Sequence, residues 1–204
     1  MEKILIAAIL VFTPITLLAE DNWYLGVGFG SNYSENELGD PGIYPNLSSQ
    51  YHVTDATLNF YLTHADNLNL TYKIGYRQRA IYPQGGTPIN PQPGDSPGDA
   101  PDHHLLLTAV LFNLINSSTG WFADFEAAII TPLEQFEHIE GGVTISGQKD
   151  PGVQLGFGVG KTFSHSWTLR LATWINSSST MYGNGTDLTT NDRLNLGGEF
   201  IYTW

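Results

Sequence analysis

The sequence contains no cysteine among its 204 residues. This absence excludes a disulfide framework and thiolate metal sites of the zinc-finger type. Basic residues are scarce, with 8 Lys and Arg against 20 Asp and Glu, and the formal net charge is -12. Nucleic-acid phosphates repel a chain of this charge, and the sequence has no basic patch that offsets the repulsion. Nucleic acid is therefore not expected as a partner.

Long apolar runs are also missing, except in the first nineteen residues. Lys3 gives a positively charged start, an apolar run continues to Leu18, and Ala19 stands before two acidic residues. This pattern predicts residues 1–19 as a secretory signal peptide that is cleaved after Ala19. An N-terminal membrane anchor is the alternative, but the run is shorter than the roughly 20 apolar residues of a spanning helix and contains a proline. Residues 20–204 are then expected to form one domain, which would enter a membrane by strands.

The rest of the sequence is rich in glycine and aromatic residues. Its 22 Gly, 12% aromatic and 14% charged residues favour β-structure with turns over a helical bundle. Seven of eight segments alternate large apolar residues with small or polar ones, which is the period of a strand. In the first segment, the apolar face carries Trp23, Leu25, Val27 and Phe29, and the other face carries Tyr24, Gly26, Gly28 and Gly30. The fourth segment, 104–114, is apolar on both faces, so its phase stays open.

The spacing of the segments predicts their topology. Long connections are expected near 33–52, 83–103, 132–149 and 177–191, and short ones near 64–67, 115–119 and 163–166. Their strict alternation predicts an all-β protein, an eight-stranded antiparallel up-and-down transmembrane β-barrel with the short turns at one end. A soluble lipocalin-like barrel is disfavoured because it would bury the charged face around an apolar ligand. A soluble β-sandwich remains an alternative, because periodicity alone does not tell which face is buried.

Two short stretches resemble outer-membrane proteins. The segment NWYLGVGFG, residues 22–30, is similar to the first strand of outer membrane protein A-type barrels. The last five residues, FIYTW, resemble the C-terminal strand signal of outer-membrane proteins, although that signal usually ends in Phe and carries Gly where Glu199 stands here. The resemblance implies a barrel of the bacterial outer membrane that is inserted by the barrel-assembly machinery. Outer-membrane lipid and lipopolysaccharide are then its expected neighbours.

A sheet that crosses lipid must close on itself, so the apolar face is expected to point outward and the polar face inward. The inward charged side chains are predicted to pair in a lumen charge network: Lys73, Arg77, Arg79, Asp124, Glu126, Arg170, Arg193 and Glu199. Four tryptophans fall at the expected periplasmic ends of strands and are predicted to form an aromatic girdle: Trp23, Trp121, Trp167 and Trp204. Tryptophan favours the membrane interface because its ring is apolar and its N–H is polar.

The expected width of the lumen favours a closed barrel over a channel. An eight-stranded barrel is only just wide enough for its own side chains, so the charges are interpreted as an ion-paired plug in a structural or loop-displaying envelope protein. A narrow, porin-like channel for small solutes or ions is the first alternative. A lipid-modifying hydrolase is the second, but neither His103 and His104 nor the pair Ser164 and His165 offers a Ser–His arrangement on the outer side. No catalytic residue, cofactor or metal-ligand set is predicted.

Overall fold

The computed structural model describes residues 23–38, 50–64, 69–84, 103–133, 137–140, 142–147, 150–163, 166–176, 181–183, 186–187 and 190–204. The expected signal peptide, residues 1–19, lies outside them. The strands in this part of the chain are β1 (Trp23–Leu38), β2 (Gln50–His64), β3 (Leu70–Gln84), β4 (His103–Asn116), β5 (Trp121–Pro132), β6 (Glu137–Glu140), β7 (Val143–Gly147), β8 (Gly152–Thr162), β9 (Trp167–Asn176), β10 (Met181–Gly183), β11 (Thr186–Asp187) and β12 (Thr190–Thr203). The described residues contain no helix long and apolar enough to cross a membrane.

Eight of these strands close into one antiparallel barrel. The order around the ring is β1-β12-β9-β8-β5-β4-β3-β2, and the pairing of β1 with β12 completes it. Each barrel strand therefore lies beside the barrel strand that precedes or follows it in the chain, and the first strand meets the last. This is the up-and-down topology, and the predicted fold class is confirmed.

The two ends of the barrel differ. At the end where β1 begins, here called the lower end, β4 and β5 are joined by a tight turn in which the Gly120 N–H donates to the Ser117 carbonyl at 3.0 Å. Gly120 has a φ of +82°, a left-handed conformation that glycine adopts at little cost. At the opposite, upper end, β6, β7, β10 and β11 form a separate four-stranded sheet within two connections that the sequence analysis expected to be loops. Because β7 pairs with β10, these two connections are joined to each other by hydrogen bonds.

Alternate residues of the barrel strands face the inside and the outside. In β8 the even-numbered residues from Gly152 to Gly160 are buried, whereas the odd-numbered ones from Val153 to Val159 are exposed. An inward glycine is required at Gly158, since a Cβ there would lie 2.7 Å from both Arg170 Nε and Asp124 Oδ1. Gly158 therefore makes room for a charged pair inside the barrel, whereas Gly156 and Gly160 make room for the Trp174 and Phe122 rings.

The structure defines the phase of β4, which the sequence leaves open. Leu105, Leu107 and Leu111 are buried inside the barrel, whereas Thr108 and Phe112 are exposed on its outside. Both faces of this strand are apolar because its inward residues form an apolar side of the lumen. A register shift near the end of β4 marks a β-bulge beside the tight turn.

Aromatic side chains ring the outside at the lower end. The four predicted tryptophans all lie at this end, at the starts of β1, β5 and β9 and after the end of β12. The Trp167 ring stacks on Phe200 with centroids 5.0 Å apart, and Tyr202 stacks on Trp204 at 5.9 Å. We call this ring of side chains the lower belt.

A second belt, which the sequence analysis did not identify, lies toward the upper end. It consists of Tyr33, His52 and Tyr82 on β1 to β3, with ring centroids 6.0 and 5.0 Å apart, and of a separate stacked pair, Tyr76 and His104, on β3 and β4. Ten residues separate Trp23 from Tyr33 along β1. At about 3.3 Å per residue and a tilt of about 40°, the belts are roughly 25 Å apart.

The outer surface between the two belts is apolar. Its exposed side chains include Phe29, Ile74, Phe157, Val159, Leu169, Leu171 and Leu196. Soluble proteins rarely expose an apolar surface that continues over several strands, because the contact with water is unfavourable. The band between the belts therefore has the composition of a surface that contacts lipid.

Candidate functional site in the barrel lumen

The middle of the lumen holds five ionised side chains, here called the central ion cluster: Lys73, Asp124, Glu126, Arg170 and Glu199. The Lys73 Nζ lies 3.1 Å from Glu126 Oε2 and 2.8 Å from Glu199 Oε1. Arg170 makes a two-point contact with Asp124, with Nε–Oδ2 and Nη2–Oδ1 distances of 2.8 and 2.6 Å. Arg170 also reaches Glu126 and Glu199 at 3.2 Å each. Side chains from β3, β5, β9 and β12 are thus joined across the lumen.

Neutral side chains complete the hydrogen bonding of the cluster. Glu199 accepts from Asn59 Nδ2 at 2.5 Å and from the Tyr61 hydroxyl at 2.7 Å. Gln154 donates from Nε2 to Glu126 Oε1 at 3.2 Å. Buried carboxylates are costly unless their oxygens are paired, and these donors provide that pairing. These three neutral residues were not among the network members predicted from the sequence.

A smaller group, here called the upper ion cluster, lies closer to the upper end and consists of Asp55, Arg77 and Arg79. Arg79 binds Asp55 through Nε–Oδ1 and Nη2–Oδ2 contacts of 2.8 and 3.0 Å. Arg77 Nη1 lies 3.8 Å from Asp55 Oδ2 and donates to Gln154 Oε1 at 3.0 Å. Gln154 therefore contacts both clusters. Asp55 was missed by the sequence analysis, although it shares the inward parity of Thr57 and Asn59 in β2.

Charge is balanced over the two clusters but not within each. Together they hold four cations and four carboxylates among the described residues, and each of the eight side chains is buried. The central ion cluster has two cations and three carboxylates, and the upper ion cluster has two cations and one carboxylate. Because an unpaired buried charge costs several kcal/mol, overall neutrality is a condition for filling a lumen in this way. Arg193, the remaining predicted member, lies in β12, but its side chain is outside the described residues.

The lumen also has an apolar side, which the sequence analysis did not predict. Leu105, Leu107, Ala109, Ala128 and Ile130 of β4 and β5 form one buried cluster. A second contact group joins Leu111 to Tyr61 and Ile201 near the central ion cluster. The charged side chains are therefore packed against an apolar wall, which lowers the local polarity and strengthens the ion pairs.

Two cavities lie on either side of the central ion cluster. The lower one has a volume of about 150 Å³, and its walls carry the hydroxyls of Thr63, Thr71, Thr168 and Thr203. Arg170 and Asp124 line this cavity and separate it from the upper part of the lumen. The upper cavity has a volume of about 20 Å³ and is lined by the upper ion cluster together with Gln154 and Trp174.

The histidines considered for catalysis are separated by the strand alternation. His103 is buried inside the barrel, whereas His104 faces outward, where its Nδ1 and the Tyr76 hydroxyl share a hydrogen bond. The two rings therefore cannot act on one substrate. Ser164 and His165 lie outside the described residues. Within the described ranges, no group of three or more His, Asp or Glu side chains is arranged to hold a metal ion.

Comparison with known proteins supports the fold. No protein-family model and no curated protein matches the sequence. The crystal structure of Neisserial surface protein A matches 87% of this chain and 96% of its own, with a TM-score of 0.54 and 9% identity. That of an outer membrane channel from Pseudomonas putida F1 covers 90% of this chain and 96% of its own, with a TM-score of 0.37 and 8% identity. At 9% identity the first match shows the fold alone, and it confirms the barrel fold that the sequence predicts.

Proposed function

We propose that this protein is a non-enzymatic outer-membrane barrel whose lumen is closed by ion pairs. In this proposal it reinforces the cell envelope and carries its long upper connections outside. The observation that carries the proposal is the central ion cluster, in which five buried charges from four strands pair across the lumen. A pathway for ions through this layer would require the buried pairs to separate, which is unfavourable in a low-dielectric interior.

Placement in a membrane is supported by the outer wall. The exposed apolar band is bordered by the lower and upper belts about 25 Å apart, the height of the apolar band in outer-membrane barrels. The lower end, with its tight turn and four tryptophans, is proposed to face the periplasm. The upper end would then face lipopolysaccharide, and the aromatic C-terminal residue Trp204 would belong to the signal that the barrel-assembly machinery reads.

Single-channel conductance of the refolded protein in a planar bilayer tests the closed lumen. The test variant is Asp124→Ala/Arg170→Ala, which removes a contacting pair and leaves the net charge of the cluster unchanged. The matched control is Lys161→Ala, since Lys161 lies outside the lumen over the Trp121 ring. We expect no conductance from the wild type or the control, and discrete openings from the double variant.

Two other outcomes would contradict the proposal that ion pairs close the lumen. Steady, salt-dependent conductance in the wild type would contradict the plug. Silence in the folded double variant would mean that the ion cluster is not what closes the lumen. Folding of each variant is checked by its β-sheet circular dichroism before the measurement.

A narrow channel is the second candidate. It is favoured by the two cavities, because the central ion cluster and Gln154 are what separate the hydroxyl-lined lower cavity from the upper one. In a channel the same charges would act as a selectivity filter. Wild-type conductance whose ion selectivity changes in Lys73→Met would establish this second function.

A further inference from the structure

The upper cavity is lined by two residues with buried hydrogen-bond donors, Arg77 Nε and Trp174 Nε1. Within the part of the chain that the structure describes, no acceptor meets Arg77 Nε or Trp174 Nε1. Both side chains are more than nine-tenths buried, with exposed fractions of 3% and 6%, and both line the same cavity. A buried donor without an acceptor costs roughly 1–3 kcal/mol, so two of them at one cavity indicate that a bound species, a water or a ligand, supplies the acceptor.

Neighbouring contacts hold both side chains in place. Arg77 is held by Gln154 at 3.0 Å through Nη1, which leaves its Nε for another partner. The Trp174 indole lies between Gly156 and Gly197, and a Cβ on either glycine would collide with it. A Cβ added at Gly156 would lie 2.7 Å from the indole nitrogen. The absence of a side chain at Gly156 is therefore what admits the ring in this orientation.

The charge around the cavity favours an anion over a neutral acceptor. The upper ion cluster holds Arg77 and Arg79 but only one carboxylate, Asp55, so the charges that line this cavity sum to +1. The carboxylates that balance this charge lie in the central ion cluster, on the far side of Gln154. A negative ligand beside Arg77 would neutralise the excess where it arises.

The size of the cavity limits the ligand. Its volume is about 20 Å³, whereas one water needs roughly 10–15 Å³ measured in the same way. The volume admits one water-sized species, which excludes a carboxylate or phosphate group on a larger molecule and leaves a monatomic anion as the negative ligand. We propose that the upper cavity is a binding site for a halide-sized monovalent anion, held by the Arg77 Nε–H and the Trp174 Nε1–H. This site would form a fixed part of the lumen packing, independent of whether the lumen conducts.

Chloride-35 NMR line width tests the site directly, with the refolded protein in detergent micelles. Chloride is varied against gluconate at constant ionic strength, and the excess line width is measured for four proteins. These are the wild type, Trp174→Phe, Arg77→Lys and Trp167→Phe. Trp174→Phe keeps an aromatic ring but loses the donor, Arg77→Lys keeps the charge but loses Nε, and Trp167→Phe changes a tryptophan of the lower belt.

We expect excess line width from the wild type and Trp167→Phe that saturates with chloride, and at least a two-fold loss in both lumen variants. If Trp174→Phe does not fold, Arg77→Lys alone tests the site, because this variant keeps the positive charge at position 77 and loses only the Nε donor. Equal broadening in all four proteins would assign the effect to adsorbed ions and overturn the proposal. No excess line width in the folded wild type would also overturn it, because water would then be the occupant.

Discussion

The inner and outer walls of the barrel are built from alternate residues of the same eight strands, yet their chemistry is opposite. The inner wall pairs four buried cations with four buried carboxylates, whereas the outer wall exposes Phe, Leu, Ile and Val between two aromatic belts. In a soluble barrel the apolar wall is on the inside. This inversion is the arrangement that the proposed placement in lipid requires, because buried charges are stable in the interior, where they find partners.

The largest expected effect comes from removing one member of the inner network. Glu199 accepts from Lys73, Arg170, Asn59 and Tyr61, so Glu199→Leu leaves two cations short of a partner. We expect the free energy of unfolding, measured by urea titration in lipid vesicles, to fall by about 3–5 kcal/mol. The double variant Lys73→Met/Glu199→Leu removes both charges and should recover roughly half of that loss. If the loss of unfolding free energy in the double variant equals the sum of the losses in the two single variants, the two residues are not coupled.

The energetic cost of placing a charge on the outer wall should depend on how deep in the membrane the residue lies. Phe29 lies between the belts, and Phe163 lies beyond the end of β8 at the lower end; both side chains are exposed. We expect Phe29→Arg to lower the free energy of unfolding in vesicles by about 2–4 kcal/mol, and Phe163→Arg by about 0–1 kcal/mol. Equal effects at the two positions would contradict the assignment of the band to lipid.

Replacing glycine by alanine is expected to have a different effect on the inner wall, at Gly158, than on the outer wall, at Gly198. A Cβ at Gly158 would meet the Arg170 and Asp124 side chains at 2.7 Å, whereas a Cβ at Gly198 finds its nearest neighbour, Leu171 Cδ2, at 3.4 Å. Gly158→Ala is therefore expected to cost about 1–3 kcal/mol of unfolding free energy. Gly198→Ala serves as the control and should be close to neutral. A neutral Gly158→Ala would mean that the ion pair can move aside, and that the inner wall is less tightly packed.

The smallest expected effect concerns a lysine of the outer wall. Lys161 Nζ lies 5.2 Å from the centre of the exposed Trp121 ring, in contrast to Lys73, which is buried among carboxylates. Lys161→Met keeps most of the stem and should lower the free energy of unfolding by about 0.5 kcal/mol. The same substitution at Lys73 should cost several times more. A loss above about 2 kcal/mol at Lys161 would disagree with the magnitude of an exposed cation–π contact.

The fold could be predicted because the strand period and the connection lengths are local properties of the sequence. The phase of β4 could not, since Leu105 and Leu106 are equally apolar and only their contacts with β5 decide which faces inward. The small upper sheet depends on the pairing of β7 with β10, two segments that carry no strand signal comparable to that of the barrel strands. Such long-range pairing of short segments leaves little trace in one sequence.

The candidate site was predictable in its charged members but not in its organisation. Charged residues on the inward face are conspicuous, and their parity alone locates them in the lumen. The division into a central and an upper ion cluster depends on Asp55, which lies before the part of β2 where the alternation is clearest. The roles of Asn59, Tyr61 and Gln154 depend on contacts between distant strands, and polar neutral residues on an inward face have many other uses.

Oxygen accessibility along the outward residues of β4 tests most directly whether the outer wall contacts lipid. Because the chain has no cysteine, single cysteines at Leu106, Thr108, Val110 and Phe112 can each carry a nitroxide label without a background. Relaxation by dissolved oxygen and by a water-soluble nickel chelate is measured in vesicles. The account predicts high oxygen and low chelate accessibility at all four positions, with the oxygen maximum at the middle of the strand. Uniformly high chelate accessibility would contradict it, because the outer wall would then face water.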